Sequence, residues 1–203
     1  MKRLVRANTE YEAGGETFDG YMGAVGWKGK NADAHLSVAE IAKIIKSQFK
    51  KKFPDYKISA RSERASRIDI LITVPRSNLM SKDEFIKEAV YNPYKMCKNG
   101  YHRIGCYDAN GQWEEHQSDD FSHMSDEERA DFFSRYYDYT LDKYTNQEYS
   151  KLNYGVEPIP LIDNSPLKYA HDLMESFNYD DSNAMVDYFD TNFYGFLYYK
   201  YGA

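Results

Sequence analysis

Two cysteines and two histidines have the spacing that comes nearest to a metal site in this sequence. Cys97, His102, Cys106 and His116 follow the pattern C-x4-H-x3-C-x9-H. Zinc prefers thiolate and imidazole ligands in a tetrahedron, and a β-hairpin can present such a set. The pattern lacks the C-x2-C pair of zinc knuckles and ribbons. We therefore predict neither a metal nor any other cofactor.

A second group of residues near the carboxyl end combines a histidine with several aspartates. Such residues can ligate a divalent cation or act as general acid and base. Their spacing does not show that they converge, and part of it is typical of a turn. We predict that the chain is not an enzyme and keep a small metal-dependent enzyme as an alternative. The group is His171, Asp172, Asp180, Asp181, Asp187 and Asp190.

Charge is distributed unevenly along the 203 residues, whose formal net charge is −6. Residues 1–106 hold 20 of the 26 Lys and Arg against 12 of the 32 Asp and Glu, a net charge of +8. Residues 107–203 hold 6 basic against 20 acidic residues, a net charge of −14, together with 14 of the 20 tyrosines. Such asymmetry is informative about partners and not about the fold.

The basic half has its steepest positive stretch over residues 43–67. Lysines on one helix face, followed by arginines on a turn, are suited to line a phosphate backbone. This indicates a DNA- or RNA-binding accessory protein as one hypothesis, although an ordinary solvated helix face explains the lysines equally well. The predicted contacts are Lys43, Lys46, Lys50, Lys51, Lys57, Arg61, Arg64 and Arg67.

The acidic half favours a different partner, namely a protein whose basic groove normally holds nucleic acid. Carboxylates at phosphate-like intervals gain from the same electrostatic steering and counterion release as a polynucleotide. Tyrosines add rigid anchors, and we expect many of them at the surface because each buried hydroxyl needs a partner. Pairing of the two halves within one fold remains an alternative. The predicted contacts are Asp119, Asp120, Asp126, Glu127, Asp131, Asp138, Asp180, Asp181, Asp187 and Asp190.

Capping signals and hydrophobic periodicity predict the elements that carry these residues. Ser37 with Glu40 forms a capping box that begins a helix over residues 38–53. Strands are predicted over 56–60 and 67–74, further helices over 82–90, 125–144 and 167–177, and a final strand over 193–201. Asn-Gly pairs predict tight hairpin turns between strands over 94–113, and a short helix is expected after residue 182.

These elements predict an α+β fold, with a small antiparallel sheet flanked by helices. We expect a single domain, in which an irregular Gly-rich lead-in over 1–35 precedes the basic half (36–106) and the acidic half (107–203). The 42% hydrophobic content is sufficient for a core. The sequence has no long apolar run and no apolar stretch at its beginning, which favours the cytoplasm and no membrane contact.

Two stretches resemble a known family. The first contains Phe53-Pro54-Asp55-Tyr56-Lys57-Ile58-Ser59 and Arg67-Ile68-Asp69-Ile70. The second is Asn178-Tyr179-Asp180-Asp181-Ser182-Asn183-Ala184-Met185-Val186-Asp187-Tyr188-Phe189. Together they resemble the large polyvalent protein-associated domains, the twenty-ninth of that numbered series, which occur in phages, plasmids and conjugative elements.

The resemblance implies a protein of a mobile genetic element acting in the cytoplasm of a bacterial host, and it assigns no catalytic residue. Small acidic proteins of such elements often counter host defences. Combined with the charge asymmetry, it predicts an anti-CRISPR-like inhibitor, which binds a host defence protein such as a CRISPR effector nuclease and mimics nucleic acid through its acidic half.

Overall fold

The chain consists of helices and short strands, and the predicted α+β class with small antiparallel sheets and flanking helices is confirmed, with one parallel strand pair in the largest sheet. The computed structural model describes residues 10–64, 66–96, 103–146, 150–152, 161–183 and 190–202. The chain divides into two compact units. Unit 1 comprises Met1–Thr73, Lys151–Val156 and Ser165–Tyr198, and unit 2 comprises Val74–Ser150, Glu157–Asn164 and Tyr199–Ala203.

A four-stranded sheet is the largest in the fold. Its strands are β3 (Lys57–Glu63), β4 (Arg67–Val74), β7 (Ser150–Leu152) and β9 (Tyr194–Tyr201), in the order β3-β4-β9-β7. β3 and β4 pair as an antiparallel hairpin, and β3 continues through residues 61–63, which the sequence pattern places on a turn. β9 runs in the same direction as β4, because the amides of Tyr194 and Gly202 donate to the carbonyls of Ser66 and Val74, each at 2.8 Å.

Alternation along β4 separates a buried face of this sheet from an outer face. Ile68, Ile70 and Ile72 are fully buried, as the sequence pattern predicts. Helix α1 (Val38–Lys52) packs along β3 and buries Ile45 and Phe49 completely. Isoleucines on the strand and a 3.6-residue apolar stripe on the helix thus build one core.

The predicted capping box at the start of α1 is confirmed. The Ser37 amide donates to the Glu40 carboxylate at 2.8 Å, and the Glu40 amide donates to the Ser37 hydroxyl at 3.3 Å. Helix α5 (Ser165–Glu175) lies beside α1, where the rings of Tyr169 and Phe53 are 5.6 Å apart. Both helices belong to unit 1.

The expectation of an irregular lead-in over residues 1–35 is wrong for residues 15–29. Strands β1 (Gly15–Asp19) and β2 (Val25–Gly29) form an antiparallel hairpin, and the short strand β8 (Tyr179–Asp180) pairs with β2. The glycines that suggested a loop serve close packing instead. A side chain at Gly26 would overlap the Phe18 ring, and one at Gly29 would overlap the backbone carbonyls of Glu175 and Ser176.

Phenylalanines form the core of unit 2. Phe85 on helix α2 (Lys82–Tyr91) and Phe133 on the long helix α4 (Asp126–Asn146) are both fully buried, with ring centroids 6.2 Å apart. Phe121 stacks on Phe133 at 5.0 Å. The positions of α2 and α4 agree with the predicted helices, because their apolar residues recur at helical spacing.

A second hairpin follows in unit 2. Strand β5 (Ile104–Tyr107) pairs with β6 (Trp113–His116) around the predicted Asn-Gly turn, where Gly111 has a φ of 77°. The Asp108 carboxylate accepts the amides of Asn110 and Gln112 at 2.8 and 2.7 Å, which fixes the turn. The predicted strand structure is wrong for residues 94–96, which belong to the short helix α3 (Pro93–Met96).

Two further predictions lie outside the described residues, namely the Asn99-Gly100 turn and the short helix after residue 182. Within the described ranges, no helix is both long enough and apolar enough to cross a membrane.

Candidate protein-docking surface

Nearly half of the acidic residues of unit 2 belong to one segment, residues 114–131, called here the acidic segment. It holds eight Asp and Glu, and its only basic residue is Arg129. Unit 2 as a whole has 10 basic and 17 acidic residues, a net charge of −7, whereas unit 1 has 16 and 15, a net charge of +1. The negative excess of the sequence therefore persists in unit 2, while acids from residues 165–198 offset the positive excess in unit 1.

Strand β6, a 3₁₀ turn (Asp120–His123) and the first turns of α4 present the acidic segment. Ser125 caps α4: its amide donates to the Glu128 carboxylate at 2.8 Å, and the Glu128 amide donates to its hydroxyl at 3.2 Å. The hydrogen bond from the Ser125 backbone lowers the pKa of Glu128. Carboxylates in the first turn of a helix also interact favourably with its dipole, so the helix stabilises this concentration of negative charge.

Two grooves of unit 2 meet at Glu127, which lines both of them. One groove of about 550 Å³ lies between α2 and α4, where Tyr91 and Asp126 line it. The other, of about 500 Å³, is bordered by Asp131 and by the apolar side chain of Phe132. Tyr91 is 91% exposed, which is unusual for so large a ring. The first groove thus combines carboxylates with one exposed aromatic ring, and Lys87 and Arg129 line it as well.

A second exposed aromatic cluster lies on the β5–β6 hairpin and α4. Tyr107, Trp113 and Tyr139 contact one another edge to face, with centroid distances of 5.3 to 6.0 Å. Tyr107 and Trp113 are 55% and 50% exposed. Exposed tyrosine and tryptophan are enriched at the energetic centres of protein interfaces.

Arg135 neutralises two of the carboxylates. Its guanidinium lies 2.8 Å from Glu114 and 3.0 Å from Asp131, and His116 Nε2 is 2.8 Å from the other oxygen of Glu114. Burial acts to raise the pKa of Glu114, but the hydrogen bonds from His116 and Arg135 outweigh it, so this pKa lies below its ordinary value. Glu114 is therefore a structural carboxylate rather than a free negative charge.

Replacing Glu114 by glutamine should destabilise unit 2 by about 1.5 kcal/mol at pH 7, since a charged hydrogen-bonded group is lost. Folding lowers the pKa of Glu114 from its ordinary value of 4.5. The stabilisation that the ionised Glu114 side chain gives to the fold is therefore complete above pH 4.5, and it is lost as the pH falls through the folded-state pKa. Urea denaturation at pH 7 and at about pH 3 should show the difference between Glu114→Gln and the parent shrinking in acid. Glu115→Gln, on the exposed side of the same strand, is the control, and an equal pH dependence in both variants would contradict the prediction.

Three of the predicted acidic contacts carry charge that points outward. Asp119 and Glu127 are exposed and form no ion pair within the described ranges, and Asp126 is 77% exposed with its partner Arg129 at 3.6 Å. Asp120 accepts the Gln117 amide at 2.8 Å. Asp138, whose side chain is 63% exposed, is 2.6 Å from Lys82, and Asp131 is held by Arg135 as described above.

The remaining predicted acids belong to unit 1. The Asp181 carboxylate accepts the Tyr21 amide at 2.6 Å, and Asp180 accepts the Ser182 amide at 2.9 Å. Asp190 is exposed, and its amide donates to the Ser182 hydroxyl at 3.1 Å. Asp187 lies outside the described residues. Asp180 and Asp181 therefore stabilise the local backbone. Of the ten predicted acidic contacts, four belong to unit 1 and six to unit 2.

The predicted nucleic-acid contacts lie on two different elements of unit 1. Lys43, Lys46 and Lys50 are exposed on α1, where Lys51 pairs with Glu10. The other four lie on the β3–β4 hairpin and its turn. Lys57, Arg61 and Arg64 are exposed there, and Arg67 pairs with Asp69 at 2.8 Å.

The possible zinc ligands can be compared only in part, because Cys97 and His102 lie outside the described residues. Burial raises the pKa of Cys106 to about 11, so its thiol is protonated at neutral pH. His116 packs against Phe132 with ring centroids 4.9 Å apart and faces Glu114. In the part of the chain that the structure describes, no three His, Cys, Asp or Glu side chains are arranged to hold a metal ion.

The expectation that many late tyrosines lie at the surface holds in part for the described residues. Of the eleven described tyrosines after residue 106, Tyr107 and Tyr194 are exposed, six are partly exposed, and Tyr137, Tyr199 and Tyr201 are buried. Some of these rings contact one another, as Tyr144 and Tyr199 do with centroids 5.1 Å apart. The Tyr137 hydroxyl donates to the Met80 carbonyl at 2.9 Å, whereas the buried Tyr201 hydroxyl has no hydrogen-bond partner among the described residues.

Sequence reasoning missed three residues of this surface, namely Tyr91, Glu114 and Arg135. Tyr91 lies at the end of α2, next to an Asn-Pro pair that marks the exit from a helix, and this was the available signal. The pairing of Glu114 with Arg135 joins a strand to a helix 21 residues away, and no local pattern indicates it.

No protein-family profile matches the chain, and neither the curated proteins nor the solved structures include a significant match. The resemblance to the large polyvalent protein-associated domains stays a prediction.

Proposed function

We propose that the chain is a non-enzymatic inhibitor from a mobile genetic element that binds a nucleic-acid-guided nuclease of its bacterial host, a CRISPR effector, in the cytoplasm. The observation that supports this function is the acidic segment, in which eight carboxylates accompany one basic residue over residues 114–131. The resemblance to domains of phages, plasmids and conjugative elements supports the setting.

The chemistry of the partner follows from the charge of this surface. CRISPR effectors hold a guide–target duplex in a positively charged channel and read it through its backbone. The positive potential of such a channel attracts a surface with excess negative charge. Binding then releases bound counterions, as it does when nucleic acid binds. Occupation of the channel by protein excludes the DNA, so inhibition requires binding and no chemical step.

Exposed aromatic rings supply the affinity that charge alone does not. Rim charges mainly accelerate association, whereas buried aromatic anchors slow dissociation. Tyr91 lines the same groove as Asp126 and Glu127, so one contact would engage both kinds of group. The acidic segment is thus the steering element, and Tyr91 is the proposed anchor.

Neutralising the three outward carboxylates should weaken inhibition by about tenfold or more, because steering is lost while the fold is retained. The variant is Asp119→Asn with Asp126→Asn and Glu127→Gln. The measurement is DNA cleavage by a panel of purified CRISPR effector nucleases, titrated with the parent chain or the variant. Inhibition by the parent should also weaken as salt rises from about 50 to about 200 mM.

A matched control removes three exposed carboxylates from unit 1, in the variant Glu16→Gln with Asp19→Asn and Asp55→Asn. This control should inhibit as strongly as the parent. Equal inhibition by the unit 2 variant would exclude the acidic segment as the contact surface. A parent chain that inhibits no member of the panel would contradict the proposed function.

A further inference from the structure

In the part of the four-stranded sheet that belongs to unit 1, the outer face combines arginines with aromatic rings. The register of β3 on β4 pairs Arg61 with Asp69 and Glu63 with Arg67 on the side opposite the buried isoleucines. The parallel neighbour β9 continues these rows, since the Tyr194 amide donates to the Ser66 carbonyl at the level of Arg67. Alternation then places Tyr194, Phe196 and Tyr198 on this outer face.

Contacts between Arg67 and two of these rings confirm that they share a face. The Arg67 guanidinium lies 4.5 Å from the centroid of the Phe196 ring, and its Nη2 donates to the Tyr198 hydroxyl at 3.4 Å. Tyr194 is 53% exposed, and Phe196 and Tyr198 are partly exposed. The strand therefore presents three rings at alternate positions, with one of them open to solvent over half its surface.

Positive charge lies on the neighbouring β3–β4 hairpin. Lys57, Arg61 and Arg64 are exposed, and no ion pair engages any of them within the described ranges of the chain. The two carboxylates of this face, Glu63 and Asp69, both lie against Arg67, at 3.7 and 2.8 Å. Arg64 has a φ of 50°, a left-handed conformation that is uncommon outside glycine, in the turn that joins β3 to β4.

We propose that this outer face binds single-stranded nucleic acid, with bases stacked on Tyr194, Phe196 and Tyr198 and phosphates held by Arg61 and Arg64. This function is additional to the proposed inhibition and uses unit 1. Aromatic faces accept any base, and flanking cations track the backbone. A single strand fits a flat sheet with exposed aromatic rings, because its unstacked bases are free to stack on those rings.

Spacing along β9 favours a single strand over a duplex. Alternate residues of a strand are about 6.8 Å apart. Successive bases in one strand of a duplex are about 3.4 Å apart and are stacked on each other. Rings about 6.8 Å apart can each stack on one base of a strand whose bases have moved apart. The bases of a duplex remain stacked on one another and are not accessible to the rings.

Fluorescence anisotropy measures the binding of labelled oligo-dT and oligo-U of about 15 nucleotides, in comparison with a labelled DNA duplex of the same length. We expect the parent chain to bind one or both single strands at least tenfold more tightly than the duplex. Arg61→Gln with Arg64→Gln should weaken binding by about tenfold and flatten its salt dependence, because two phosphate contacts are lost. Tyr194→Leu should weaken it about fivefold or more without changing the salt dependence.

Lys43→Gln with Lys46→Gln on α1 removes the same charge from the other side of the sheet and should leave the affinity unchanged. An equal or larger loss in this control would place the nucleic acid along α1 and overturn the proposal. Tighter binding of the duplex, or no binding of either single strand, would overturn it as well. The comparison of oligo-dT with oligo-U identifies which nucleic acid the face prefers. None of these outcomes depends on nuclease inhibition, so the two proposals fail separately.

Discussion

Replacing Phe133 by alanine should destabilise unit 2 by about 3–5 kcal/mol, the largest loss we expect from a single substitution in this chain. The Phe133 ring is fully buried and contacts Phe85, Phe121 and Phe132, at centroid distances of 6.2, 5.0 and 5.5 Å. Truncation removes the transfer free energy of the ring and leaves a cavity among three other rings that cannot all collapse into it.

The two tryptophans allow each unit to be followed by itself. Trp27 belongs to unit 1 and Trp113 to unit 2. With Trp27→Phe as the common background, urea denaturation monitored by fluorescence reports on unit 2 through Trp113. In that background Phe133→Ala should shift the transition to lower urea, and Glu127→Ala, on the exposed face of the same helix, should change the free energy of unfolding by less than about 0.5 kcal/mol. A loss below about 1 kcal/mol for Phe133→Ala would show that the phenylalanine cluster is not the core of unit 2.

The elements that the sequence predicts are those whose signals are local. The stripe of Ile41, Ile45 and Phe49 predicts α1, and the alternation of Ile68, Ile70 and Ile72 predicts β4, because each pattern matches the period of the element that buries it. The capping box at Ser37 and the turn at Gly111 are equally local. Such signals depend on a few neighbouring residues, so they can be recognised in the sequence without knowledge of the tertiary contacts.

The β1–β2 hairpin shows why the rest of unit 1 is not predictable in this way. Its partner strand β8 lies some 150 residues further along the chain, and Trp27 donates its indole hydrogen bond to the Glu175 carbonyl at 3.1 Å. The glycines that resemble a loop in the sequence are required only because α5 and Phe18 lie against them. Contacts of such long separation leave no periodic trace, so composition alone suggests irregular structure.

The charge pattern was similarly incomplete as a guide to surfaces. Linear counting assigns +8 and −14 to the two halves, but the fold mixes both halves into unit 1, whose net charge is +1. Counting also takes no account of pairing, and Glu114 and Asp131 both contact Arg135. What the sequence does indicate is the acidic segment, because its charges are adjacent along one stretch of chain.

The arginines of the basic half illustrate the same point for nucleic acid. Sequence reasoning grouped Lys43 and Lys46 with Arg61 and Arg64, although α1 and the outer face of β3 lie on opposite sides of the sheet. The aromatic rings that complete the outer face come from β9, near the other end of the chain. Only the parallel pairing of β9 with β4 brings Phe196 to Arg67.

Replacing Gly29 by alanine should destabilise unit 1 by about 3 kcal/mol, through overpacking against atoms that cannot move. The added Cβ would overlap the backbone carbonyls of Glu175 and Ser176, at the end of α5. Those carbonyls are held in place, since Ser176 accepts the Asn31 amide at 2.7 Å and Glu175 accepts the Trp27 indole. The Gly29 amide itself donates to Asn178 at 2.9 Å, so the hairpin can withdraw only by breaking this bond as well.

Trp27 reports on this change when Trp113→Phe is the common background, because its indole lies on the same hairpin. Gly29→Ala should lower the urea midpoint of the Trp27 transition, and Gly23→Asn should leave it nearly unchanged. Gly23 has a φ of 81° with no heavy atom within 4 Å of an added Cβ, and asparagine tolerates that backbone conformation. If the two variants were equally stable, Gly29 would not be packed against α5, and the hairpin would owe its position to other contacts.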